Sequence, residues 1–289
     1  KSGQIFESPR FEFTYEDNRF EWQQLSSEGF TINWHSGGPE FGEALLSAAR
    51  NSVTSVQRVI PLAGPAEVEF FIYQDQSALL QTMQAAGYNW AAGHSDLSQD
   101  RIFLSINSSP SASLEVDRQI PHEMAHLMLF HALGKNRYEQ LPKWLDEGIA
   151  SNAELYSDPT YSQLIELTYA EGTLPSLFSL CENFPQNPSL ARVAYAEADA
   201  FVAYLRSEYQ VVGMGAIVDA YARNSDCMFA LEDLLGKNLL QLESDWHQSQ
   251  FDSQSMLPTD LNQVPWPGVL LALAALVIIT WNRFSRRKS

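Results

Sequence analysis

The sequence predicts an α+β chain of two lobes, a small mixed sheet followed by a helical half, with one transmembrane helix at its carboxyl end. Three observations carry this expectation. Up to residue 106, short alternating segments take turns with longer amphipathic ones. Beyond residue 113 the spacing of Leu, Ala and Tyr is helical. Residues 264–281 then run without a charge before a basic tail.

The elements follow in order. Phe11-Glu-Phe-Thr-Tyr15 alternates as a half-buried strand does, and so does Phe30-Thr-Ile-Asn-Trp34. Residues 39–58 read as a helix that stops before Pro61. Residues 68–73 are a third strand, 75–86 a helix, and 101–106 a strand arriving just before the helical half. Pro121 suits a first helical turn, where its missing N–H costs nothing. Leu127, Leu129, Phe130 and Leu133 supply the apolar face, and Gly134 stops the helix. A further helix begins near Pro142, and the connection 134–141 is short enough to set the two side by side.

The expected organisation is an N-terminal strand segment (1–26), a main domain (27–247), a polar linker (248–263), a membrane helix (264–282) and a basic tail (283–289). Eighteen residues at 1.5 Å rise reach about 27 Å, near the short limit for a bilayer. Trp266 and Trp281 bracket the run as interfacial aromatics do. Arg283, Arg286, Arg287 and Lys288 predict a cytoplasmic carboxyl terminus, so the main domain is expected outside the cell membrane. A cleaved sorting tail would share these features. Outside placement requires an export signal, and since the chain starts at Lys1 a removed signal peptide is expected.

Charge narrows the partners. Before the tail, 14 basic residues face 35 acidic ones. Such a body repels nucleic acid and anionic lipid. Cys181 and Cys227 could form one disulfide in an oxidising compartment, or remain two buried thiols.

Chemistry concentrates in two segments. Residues 122–126 read His-Glu-Met-Ala-His, and 144–150 read Trp-Leu-Asp-Glu-Gly-Ile-Ala. Positions i and i+4 share one helix face, so His122 and His126 can reach a single ion at about 2.0–2.1 Å. Glu123 faces the same cleft and is placed to take a proton from an activated water. A catalytic zinc usually keeps three protein ligands, and Glu147 is the candidate third. His-Glu-x-x-His alone arises by chance in about one chain in a hundred of this length. The second carboxylate, in an equally apolar run, makes the signal specific.

Together these motifs resemble the gluzincin clan of metallopeptidases, closest to the peptidase MA-like group, with echoes of the zinc aminopeptidases. The resemblance spans roughly residues 27–245 and implies a zincin-like fold of two lobes around a cleft. It implies His122, His126 and Glu147 as zinc ligands and Glu123 as general base, acting on a peptide or protein substrate. A Tyr opening a later helix stabilises the oxyanion in the aminopeptidases. Its match is Tyr195, with Tyr204 a lesser candidate. An edge strand lines the cleft in this fold, and 101–106 is the expected one. Two departures stand out. No Gly-x-Met-Glu-Asn motif precedes His122, which argues against aminopeptidase activity. Thermolysin-like members carry an Asp four residues after the ligand Glu to orient a ligand His, where this chain has Ser151. His131 reads as a surface group, and His35, His94 and His247 have no assigned role. A zinc-binding surface protein without hydrolytic activity, or an adhesion module without metal, are the alternative functions.

Overall fold

The structure, a computed structural model, describes residues 17–85, 93–109 and 112–251. The strand expected at 11–15 and the membrane helix at 264–282 lie outside these. Among the described residues, no helix is long and apolar enough to cross a membrane.

Among the described residues five strands form one sheet: β1 (Gln23–Ser27), β2 (Phe30–Trp34), β3 (Val68–Tyr73), β4 (Gly93–Asp96) and β5 (Arg101–Ser105), in the order β1-β2-β3-β5-β4. β2, β3 and β5 run parallel, and each outer strand is antiparallel to its neighbour. β1 and β2 are joined by Glu28 and Gly29, both at positive φ, as a two-residue hairpin turn demands. A side chain at Gly29 would meet the Ala66 carbonyl oxygen at 2.2 Å. Strand alternation sorts the two faces. Ile32, Phe70, Ile72, Ile102 and Leu104 are buried on one side. On the other, Phe71 and Phe103 stack at 5.1 Å, and Tyr73 packs with Leu79 and Met83 of α2 (Gln76–Ala85).

The segment 101–106, expected as the edge strand, is not at the edge. β5 lies inside the sheet, and β4 is the outer strand beside it. The chain reverses between them through a turn closed by Gln99 N–H on the Asp96 carbonyl, with Asp100 at φ 55°. Gly-His-Ser-Asp carries no apolar alternation, so β4 left no trace in the pattern. The same holds for β1, Gln-Gln-Leu-Ser-Ser.

α1 (Pro39–Val59) crosses from β2 to β3, with Pro39 in its first turn, Glu40 near its N-terminus and Arg58 in its last turn. Leu45, Ala49 and Val56 are fully buried, and α1 packs on α3 (Ala112–Leu133) and α5 (Lys143–Ala153). Between those two lies the short α4 (Lys135–Tyr138), entered through Gly134 at φ 74°.

Pro121 is not in a first turn, because α3 begins nine residues earlier, at Ala112. Proline inside a helix leaves the carbonyl four residues back without its partner. Here the Asp117 carbonyl instead accepts the Leu155 N–H at 3.1 Å, just past the end of α5. The freed acceptor thus ties α3 to α5.

After α6 (Tyr161–Ala170) and a 3-10 turn at Leu177–Leu180 comes α7 (Pro188–Glu208). Its cap is Asn187, whose side chain accepts from Ser189 and Leu190 N–H. α7 packs along α5 at Gly148, where an added Cβ would come within 2.5 Å of the Ala198 carbonyl oxygen and of Val202. Glycine after Glu147 is therefore a packing requirement. α8 (Met214–Arg223) and α9 (Glu232–Leu235) complete a unit ending at Leu240. α10 (Leu239–Gln250) leads into a second unit from Gln241. Cys181 and Cys227 are joined as a disulfide, their Cα atoms 6.2 Å apart.

Candidate metal centre

α3 presents His122 and His126 one turn apart, and α5, held against it, brings Glu147 to both. The Glu147 carboxylate lies 3.3 Å from His122 Nε2 and 3.5 Å from His126 Nε2. One ligand atom from each of the three lies within 4.8 Å of the others. Two donors on a tetrahedral ion with bonds near 2.05 Å stand about 3.3–3.4 Å apart. The Nε2–carboxylate distances match that edge, and two imidazoles with a carboxylate are the donor set zinc favours.

Both rings are aimed by their other nitrogen. His126 Nδ1 donates to Asp146 Oδ1 at 2.8 Å. Tyr138 donates its hydroxyl hydrogen to the same carboxylate, 3.0 Å from either oxygen, and Lys143 Nζ reaches Oδ2 at 3.0 Å. His122 Nδ1 donates to Glu154 Oε1 at 3.1 Å, and Arg118 Nε holds Oε2 at 2.8 Å. A carboxylate on Nδ1 fixes the tautomer that leaves the Nε2 lone pair facing the centre. Sequence reasoning missed Asp146 and Glu154, the carboxylates that back the two candidate ligands. Ser151, one turn after Glu147, is buried and its hydroxyl has no partner among the described residues. Glu154, seven residues after Glu147, takes that place instead.

The electrostatics are those of a site that holds positive charge. Burial disfavours the His122 imidazolium, but hydrogen bonds to Glu147 and Glu154 outweigh it and lift its pKa to about 9. Burial works against the His126 cation too, yet Asp146 and Glu147 carry it well above the ordinary range. Burial would raise Glu147, but His126 and His122 hold it well below a usual carboxylate.

Glu123, beside His122 on α3, accepts a hydrogen bond from Ser95 Oγ of β4 at 2.6 Å. The outer strand thus reaches the residue beside His122. Tyr195 lies in the second turn of α7, its ring centre 6.3 Å from that of His122, and it packs edge-on against Phe184 at 5.0 Å. Burial, then the charges of Glu147 and Glu123, push its hydroxyl pKa far up, so it stays a proton donor. Tyr204 is not brought to the cluster. It follows Tyr195 by nine residues, about 13 Å along the axis, and stacks on Phe201. His131 pairs with Asp100 at the surface, and His35 stacks on Phe20.

Comparison with curated proteins finds no match. The family model of the peptidase MA superfamily matches residues 48–251. That stretch runs from within α1 to the end of α10 and includes both motif segments. Covering well over half of the 289 residues, it shows that the chain belongs to the peptidase MA superfamily.

Proposed function

We propose that the chain is a zinc-dependent metallopeptidase that hydrolyses peptide bonds outside the membrane to which residues 264–282 anchor it. The observation that carries this is the convergence of two Nε2 atoms and one carboxylate, with each imidazole backed by a carboxylate on its Nδ1. His122, His126 and Glu147 would hold the zinc. Bound there, zinc supplies Lewis acidity, which polarises a carbonyl and acidifies water. Glu123 takes the proton from the attacking water and later passes it to the leaving amine. Ser95 holds one oxygen of that carboxylate and leaves the other for the reaction. Tyr195 donates to the developing oxyanion. An extended peptide adds along β4, the outer strand beside Glu123. The disulfide supports an oxidising location for the domain.

The test is metal content and peptide hydrolysis of the purified full chain beside its Glu123→Gln variant. One zinc in both, with cleavage lost at least about a thousandfold in the variant, is the expected outcome. Undiminished turnover in Glu123→Gln would refute the mechanism. Zinc in both without cleavage of a broad peptide library would favour a binding protein.

A further inference from the structure

A cavity of about 160 Å³ opens beside the metal centre, lined by Lys143, Glu147, Glu182, Phe184, Pro185 and Tyr195 among others. A space of about 150 Å³ holds a benzene, so this one admits a single side chain. Because Glu147 and Tyr195 form part of its wall, whatever fills it lies within a residue's length of the cluster. We propose that this cavity is the subsite that selects a cationic residue, lysine or arginine, in the peptide, with Glu182 as its specificity-determining residue. The proposal rests on the peptidase reading and names the substrate class for that site.

The charges in the cavity point to that choice. Lys143 is committed to Asp146 at 3.0 Å. Glu147 faces the two imidazoles. Glu182 is left, an exposed carboxylate with no ion-pair partner among the described residues. Phe184 and Pro185, both half-buried, offer apolar surface in the same cavity, and Phe184 is braced edge-on by Tyr195. A methylene stem with a cationic tip fits this arrangement, the stem along the rings and the tip at the wet rim. An acidic side chain would meet Glu182 with like charge.

The wall is preformed. Residues 181–187 are fixed at one end by the Cys181–Cys227 disulfide and by Lys143 N–H on the Cys181 carbonyl at 2.8 Å. At the other end they are fixed by the Asn187 cap of α7. A net charge of −17 also draws cationic peptides to the molecule as a whole.

The test is equilibrium binding to the Glu123→Gln full chain in zinc-containing buffer. The ligands are peptide twins in which one lysine is replaced by norleucine, at each position in turn. At one position the lysine peptide should bind about threefold tighter, the scale of an exposed ion pair. Glu182→Gln should bring that ratio toward one, and Glu182→Lys should favour a glutamate twin at the same position. Equal binding of the twins at every position, or a lysine preference that survives both variants, would overturn the subsite. Hydrolysis of the same peptides by the unaltered chain is scored separately. Lysine preference in binding without any cleavage would sink the peptidase reading and leave the subsite standing. Cleavage indifferent to lysine at every position would do the reverse.

Discussion

The two imidazoles of the centre meet the same carboxylate through the same nitrogen, yet their surroundings differ in kind. Behind His126 stands Asp146, one residue before Glu147, buried and shared by Tyr138 and Lys143. All of these groups lie within residues 126–146. Behind His122 stands Glu154, from the residue capping the end of α5, steadied by Arg118 and by the Leu155–Asp117 backbone bond. The first is a compact hydrogen-bonded knot and the second a tie between two helices. One side therefore couples metal affinity to the folding of a buried polar cluster. The other couples it to how two helices are held.

The largest effect should come from cutting the knot. Asp146→Ala leaves the buried His126 without its orienting partner and takes the acceptor from the half-buried Tyr138 hydroxyl, while Lys143, 45% exposed, can turn to water. Breaking a buried charged network costs about 3–5 kcal/mol, and losing an orienting partner weakens metal binding about 10- to 100-fold. Urea unfolding with and without chelator, beside competition for zinc with a calibrated chelator, reads both. A variant with parental stability would mean that the knot contributes only to binding.

A smaller effect is expected on the other side. Glu154→Gln keeps an acceptor for His122 but loses the charge that Arg118 grips. Zinc affinity should fall about tenfold, with stability changed by about 1 kcal/mol because Arg118 is partly exposed. Equal losses of stability in Glu154→Gln and Asp146→Ala would break the contrast between a knot and a tie.

The same contrast shows which parts could be read from sequence. His122, Glu123, His126 and Glu147 were legible because helical periodicity alone puts the first three on adjoining positions and a short connection returns the fourth. Strands 30–34 and 68–73 were legible because their apolar residues alternate. Glu154 was not, since its reach to His122 depends on α3 running through Pro121 and on Asp117 capturing Leu155, a contact across 38 residues. Asp146 was in plain sight within Trp-Leu-Asp-Glu-Gly, and its offset of one position from Glu147 was the available signal. Tyr195 was placed near the centre by resemblance alone. Polar strands β1 and β4 were lost for the converse reason, as their pairing is set by backbone geometry and neighbours, not by side-chain pattern.

Asp199 refines the tie from farther out. It lies on α7, one turn after Tyr195, and its carboxylate accepts from Asn152 Nδ2 at 2.9 Å, while Asn152 Oδ1 accepts from Arg206 at 2.8 Å. Burial first, then the nearby Glu154 charge, raise its pKa from 3.8 to about 6, against the pull of Arg206, Arg118 and His122. A carboxyl raised on folding binds more protons in the native than in the unfolded state between those two values, so it lowers stability as pH climbs from about 4 through 6. Asp199→Asn keeps the acceptor for Asn152 and removes the charge. The variant should match the parent below pH 4 and exceed it by about 1–2 kcal/mol at pH 7, read as the difference between two urea curves at each pH in the presence of chelator. The gain should shrink when Glu154→Gln is also present, because the charge that helps to raise Asp199 is gone. A gain independent of Glu154 would mean that burial alone sets Asp199, and the tie behind His122 would end at Arg118.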